Sequence, residues 1–217
     1  MASLLNQNER ILLIDTCGDT AGVALSSGED LLAAEDLPRG TASAEILQAI
    51  RRLLTQQAWK LRNLDAIGVV SGPGSFTGTR AGLATAKGLC EAAELLLAAV
   101  SRLEVLADAA ELSDGFAAFD AGRNEVYLRE VRAGREWLVA IDDLRVRCEG
   151  QPIAIAEPRL RDQLEGCNIT LRPLHADDSL PAILRKLRGG GSDNALTDAN
   201  YVRGEGDIYG TPAGVIR

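Results

Sequence analysis

Two aspartates close apolar strands in this chain: Asp15 follows Ile11-Leu-Leu-Ile14, and Asp120 follows Phe116-Ala-Ala-Phe119. A carboxylate at a strand end can hold a metal-bound nucleotide, or simply cap the turn that follows. A third candidate is Gly72-Pro-Gly-Ser-Phe-Thr-Gly78, which follows an apolar strand and opens a helix. Strand, glycine turn and helix N-terminus together aim backbone N–H groups at one spot, the geometry that binds phosphate. Spacing excludes the two standard nucleotide motifs. A P-loop needs Lys-Ser/Thr after its last glycine, whereas Thr79 and Arg80 follow Gly78. Gly72, Gly74 and Gly78 are set one residue too far apart for G-x-G-x-x-G, and Ser101 rather than an acid follows Val100.

Other chemistry is poorly supplied. The sole histidine, His175, cannot build a histidine-rich metal centre, and no G-x-S-x-G elbow accompanies any serine. Asp177 and Asp178 beside it read as a solvated helix start before Leu180. Cys17, Cys90, Cys148 and Cys167 lie far apart without a C-x-x-C pair, a pattern of buried, reduced thiols rather than of zinc or disulfides. The expectation is a chain with no catalytic, cofactor-binding or metal residues.

The elements that position these residues follow from periodicity. Ile11–Asp15, Gly22–Leu25 and Leu31–Asp36 read as a β-meander with a hairpin at Ser26–Asp30. Ser43 can cap a helix reaching Gln57, whose Ile46, Leu47, Ile50, Leu53 and Leu54 fall on one face. Ala66–Val70 is a buried strand, and Ser75 or Thr77 opens the next helix. Gly78, Ala81, Gly82, Ala84, Thr85, Ala86 and Gly88 make that helix smooth, although glycine costs about 1 kcal/mol relative to alanine within a helix. Leu95–Val100 gives another strand, and Ser101-Arg-Leu-Glu104 fits a capping box. Phe116–Asp120, Val126–Val131 and Glu136–Ile141 then repeat the order of the first meander, with Asp120 in the place of Asp15. An internal duplication explains this. Beyond it, Pro152–Ala156 and Ile169–Leu171 read as strands, and Pro158–Glu165 and Leu180–Leu187 as helices. Gly189–Ser192 reads as a flexible joint before a tail that is mobile or held by a partner.

The expected architecture is α/β in two lobes, residues 1–112 and 113–217, the second reduced. Of the 217 residues, 46% are hydrophobic and only 4% aromatic, so the core must be aliphatic. A formal charge of −8 argues against a surface that holds a nucleic-acid backbone. No signal peptide is legible, and the longest apolar run is too short to cross a bilayer, so the reading is a soluble cytoplasmic protein without a membrane partner.

Several blocks carry a resemblance: Ile14-Asp-Thr16 with Val23-Ala-Leu25, Gly72 to Gly88, Ser101-x-Leu-Glu104, Asp120-Ala-Gly-Arg-Asn-Glu-Val-Tyr127 and Tyr201-Val-Arg203. In this order they resemble the bacterial TsaB family, also called YeaZ. The resemblance implies a two-lobed fold of the actin, hexokinase and Hsp70 type. It also implies a non-catalytic partner of TsaD, joined by the ATPase TsaE, in transferring a threonylcarbamoyl group to adenosine 37 of tRNAs that read codons beginning with A. TsaD carries the metal-binding histidines in that family, tRNA is reached only through the complex, and the isolated chain can form a homodimer. By the same resemblance the two helices form the partner surface, through Ile46, Leu47, Ile50, Leu54, Gly78, Ala81, Gly82, Thr85 and Leu89. Ile50→Glu or Ala81→Arg would then break pairing without unfolding. Departures from the family pattern fall at Ala42-Ser-Ala44, Cys17-Gly18 and Gly122. The alternative on the same fold is a phosphotransferase or ATPase using Asp15 and Asp120 with Mg²⁺; a metalloprotease is a third reading.

Overall fold

A computed structural model describes residues 8–38, 40–164, 166–193 and 197–200. The Tyr201-Val-Arg203 block lies outside the described residues. The strands are β1 (Arg10–Asp15), β2 (Ala21–Ser27), β3 (Asp30–Leu37), β4 (Ala66–Val70), β5 (Leu96–Val100), β6 (Phe116–Gly122), β7 (Glu125–Glu130), β8 (Arg135–Ala140), β9 (Pro152–Ile155) and β10 (Asn168–Leu171). The α-helices are α1 (Ala42–Gln56), α2 (Phe76–Ala93), α3 (Arg102–Ala109), α4 (Ile141–Arg147), α5 (Pro158–Arg161) and α6 (Leu180–Arg188).

The strands form two sheets, ordered β3-β2-β1-β4-β5 and β8-β7-β6-β9-β10. In each, an antiparallel meander is extended by two parallel strands. The helices repeat too: α1 and α4 follow the meanders, α2 and α5 join the parallel strands, and α3 and α6 come last. This is the two-lobed actin, hexokinase and Hsp70 architecture. α5, of 4 residues, is the shortened counterpart of α2, of 18.

The central strands are buried on both faces, so they read as continuous apolar runs. Odd and even positions nevertheless serve different cores. Leu12 and Ile14 of β1, Val23 and Leu25 of β2, and Ile67 and Val69 of β4 pack beneath α1 and α2. Ile11, Leu13, Ala24, Ala66 and Ala98 face the other way, into a cluster shared with Ala117, Phe119 and Ala154 of the second sheet. α3 and α6 lie in this shared layer, and each crosses over: α3 follows the first sheet yet packs on β6, β7 and β9, while α6 follows the second yet packs on β4 and β5. Small residues on the inner faces let the helices approach. A Cβ on Gly68 would sit 2.8 Å from Ile183 of α6, whose side chain is fully buried. Burying an isoleucine is worth about 1.5–3 kcal/mol. Outside the second sheet, α4 and α5 cover Ala118, Val126, Leu128, Ile153 and Ile155.

Several boundaries differ from the periodicity reading. α1 begins at Ala42 with Thr41 at its N-cap, because the N–H groups of Ala44 and Glu45 bond the Thr41 carbonyl, so Ser43 sits inside the first turn. The Ser101 hydroxyl caps α3 through the N–H of Leu103, but Glu104 turns outward to Arg185 at 2.8 Å instead of closing the box. α4 lies in a stretch where no helix was expected, although Asp142 and Asp143 in its first turn and Arg145 and Arg147 in its last are the charge order a helix dipole favours. The chain after Gly189–Ser192 is anchored: Asp193 pairs with Leu97 at the outer edge of β5. No helix among the described residues is long and apolar enough to cross a membrane.

Candidate functional site

The Gly-Pro-Gly stretch is occupied by the chain itself. Ser75 caps α2, its hydroxyl accepting from the N–H of Gly78 at 3.2 Å, while its own N–H donates to the Cys17 carbonyl at 2.7 Å. The Thr16 hydroxyl donates to the Gly78 carbonyl at 2.6 Å, and the Cys17 thiol donates to the Val70 carbonyl at 3.2 Å. The turn after β1 therefore lies directly on the first two turns of α2. Close approach explains three glycines. A Cβ on Gly74 would be 2.2 Å from the Cys17 carbonyl oxygen, one on Gly78 2.1 Å from that of Thr16, and one on Gly82 2.3 Å from the Thr16 hydroxyl. Gly78 and Gly82 thus meet crowding from their own lobe. Gly88 differs, since a Cβ there would meet nothing within 4 Å.

Beside this contact a cavity of about 340 Å³ is walled by Thr16, Asp19, Ser43, Ser75 and Thr77. The Asp19 carboxylate disfavours phosphate there, and the Ser75 N–H that would bind one is already bonded. Burial, reinforced by Asp15, pushes the Cys17 thiol up to about 12, so it stays protonated and is no nucleophile. All four cysteines are free thiols.

Asp15 and Asp120 occupy equivalent positions and make the same kind of bond. Asp15 Oδ1 accepts from the N–H of Cys17 at 2.8 Å, and Asp120 Oδ1 from that of Gly122 at 2.6 Å. Asp15 thereby caps the turn after β1, and Asp120 braces the bulge at the end of β6. Asp15 is 2% exposed, and burial raises its pKa against the pull of Arg102. Asp120 pairs with Arg159 at 3.0 Å. Asp15 feels the Arg102 charge without a direct ion pair to it, and among the described residues no group of three or more His, Cys, Asp and Glu could hold a metal. His175 is a half-exposed loop residue with Nδ1 3.3 Å from Asp36 Oδ1.

Arg102, left unread in the sequence, ties this region together. It is 7% exposed, stacks 4.1 Å above the Phe119 ring, and lies 3.9 Å from Glu157. Its N–H donates to the Gly72 carbonyl at 2.6 Å. Burial raises the pKa of Glu157, opposed chiefly by Arg102. An arginine inside the apolar run Leu96 to Ala107 was the available signal. One guanidinium thus serves carboxylates from both lobes.

The expected partner residues separate into two groups. Ile46, Ile50 and Leu54 are 1%, 4% and 8% exposed and belong to the core beneath α1, and Gly82 on α2 is also buried. Their apolar stripe is turned toward the sheet, which corrects the expectation that Ile50→Glu would leave the fold intact. Leu47 is 55% exposed, whereas Gly78, Ala81, Thr85 and Leu89 are half-buried. Outward on α2 run Thr77, Ala81, Ala84, Thr85 and Gly88, with Arg80 stacked on exposed Phe76 at 3.7 Å.

Comparison with known proteins places this geometry. Residues 41–148 match the family model described as TsaD, tRNA N6-adenosine threonylcarbamoyltransferase. The chain is 35% identical over 129 residues to the tRNA threonylcarbamoyladenosine biosynthesis protein TsaB of Haemophilus influenzae, spanning 58% of this chain and 55% of the relative. Against the TsaB of Escherichia coli it is 37% identical over 125 residues, spanning 56% and 54%. A Pseudomonas aeruginosa structure described as an uncharacterized protein similar to peptidase YEAZ superposes with a TM-score of 0.75 at 26% identity, covering 90% of this chain and all of that one. In sequence and in fold the chain is similar to TsaB (YeaZ) proteins. It spans about half the length of the curated TsaB relatives it matches. The TsaD match runs from α1 to α4, through both sheets, and contains no histidine.

Proposed function

We propose that this chain is a non-catalytic scaffold or activator subunit, cytoplasmic, for threonylcarbamoylation of adenosine 37 in tRNAs that read codons beginning with A. It pairs with TsaD, works with the ATPase TsaE, reaches tRNA only through the complex, and forms a homodimer when alone. Its lobes divide near residue 112. The observation that carries this reading is that the chain itself engages both strand carboxylates, Asp15 through the Cys17 N–H and Asp120 through the Gly122 N–H and Arg159. Similarity to proteins named for threonylcarbamoyladenosine biosynthesis supports the pathway. Co-expression with TsaD and TsaE partners, followed by a modification assay, tests it. Modified tRNA should fall when this chain is omitted, and the isolated chain should not turn over ATP. ATP hydrolysis by the chain alone that disappears in Asp15→Asn would favour the phosphotransferase instead. The net charge of −8 further predicts no tight gel shift of tRNA by this chain alone at physiological salt.

The partner surface in this reading is the exposed side of α1 and α2 around Leu47, Ala81 and Thr85. Leu47→Glu or Ala81→Arg should weaken capture of the TsaD partner by about tenfold or more, because charge or bulk enters a desolvated contact. The melting temperature should stay within about 2 °C, since surface changes are usually worth no more than about 0.5 kcal/mol. Undiminished capture by both variants would remove this face from the interface. Ile50→Glu is unsuitable here because it places a charge in the core.

A further inference from the structure

After α6 the chain returns along the first sheet. The Asp193 N–H donates to the Leu97 carbonyl at 2.7 Å, and its carboxylate accepts from the Ala99 N–H at 2.7 Å and pairs with Lys186 at 2.6 Å. Ala199 is 8% exposed and packs in the core beneath α1 and α2. Asn200 then sits where the lobes meet. Its N–H donates to the Ser71 carbonyl at 2.7 Å, just beyond β4. Its side-chain amide donates to the Ser101 hydroxyl at 3.3 Å, just beyond β5, and to Glu136 on β8 of the other sheet at 2.7 Å. Glu136 is itself held by Arg129 at 2.7 Å. One amide group thus joins both sheets, and its bond to a carboxylate is of the stronger, charge-assisted kind.

We propose that Asp193 and residues 197–200 clamp the lobe junction, with Asn200 as the positioning residue that fixes one sheet against the other. The fixed point is where it matters geometrically: Ser71 precedes the Gly72-Pro73 turn, and Ser101 precedes Arg102. Releasing the clamp lets water reach the Arg102 N–H bond to Gly72 and loosens the seat of α2.

Hydrogen–deuterium exchange on the full chain tests it, comparing Asn200→Ala, Asn200→Asp and Glu136→Gln with the parent. Asn200→Ala should speed exchange in segments 71–75, 100–103 and 134–137 by about tenfold, the loss expected for removing a charge-assisted hydrogen bond. Asn200→Asp should speed it further, because two carboxylates then face each other. Glu136→Gln keeps an acceptor but loses its charge, so it should speed exchange by less than Asn200→Ala does. Segments in the centres of β1 and β6 should not change in any variant. Faster exchange confined to residues 193–200, equal acceleration throughout the molecule, or parent-like rates at 71–75 and 134–137 in both Asn200 variants would each overturn the proposal.

Discussion

Arg102→Met is expected to destabilise the protein by about 3–5 kcal/mol at pH 7, the range for removing one partner of a buried ion pair, and the deficit should shrink on acidification. Asp15 and Glu157 are the reason. Burial raises both pKa values above the usual carboxylate value, and Arg102 is the chief opposing influence on each. A carboxyl whose folded pKa is raised favours folding fully below its unfolded value, about 4. That contribution is lost as pH rises through the folded pKa, where the fold must hold an ion it solvates poorly. Without Arg102 both folded values move higher still, so the variant loses more between pH 4 and neutrality than the parent does. Urea unfolding of both proteins at pH 4.5 and pH 7 measures this, and general acid effects cancel in the difference. A deficit that is the same at both pH values would mean that Arg102 contributes only stacking on Phe119.

Gly78→Val and Gly88→Ala should act in opposite directions on one helix. At Gly78 a Cβ meets a backbone oxygen at 2.1 Å, which no rotamer change relieves, so the turn after β1 or the start of α2 must move. A loss of about 3 kcal/mol follows from forced overpacking. At Gly88 a Cβ enters open space, and alanine should stabilise by about 0.5–1 kcal/mol through helix propensity and reduced freedom of the unfolded chain. Thermal melts of both variants decide it. If Gly78→Val melts like the parent, the turn is not seated against α2 as described.

The sheets were legible because short apolar runs bounded by turn residues are local signals. β4 matches its expected bounds, Ser75 caps α2, and the equivalence of Asp15 with Asp120 appears as the same bond to the N–H two residues on. What sequence could not give was direction across the fold. The apolar stripe of α1 is equally consistent with a sheet or a partner beneath it, and only tertiary placement shows Ile46, Ile50 and Leu54 turned inward with Leu47 alone outward. The small residues of α2 misled similarly, since the crowding at Gly78 and Gly82 comes from Thr16, about 60 residues away along the chain. Arg102 and Asn200 act through partners in other elements; apolar neighbours hint that Arg102 is buried, whereas nothing beside Asn200 reveals its role.

The exchange of α3 and α6 between the sheets sets an order on folding. While the chain is being synthesised, all five strands of the first sheet emerge before residues 180–188 do, so the Gly68 side of β4 waits without its cover. Such distant contacts slow folding, because loop closure must precede the gain from contact. The nascent first lobe exposes an apolar sheet face in the interval, a surface open to misassociation until α6 arrives.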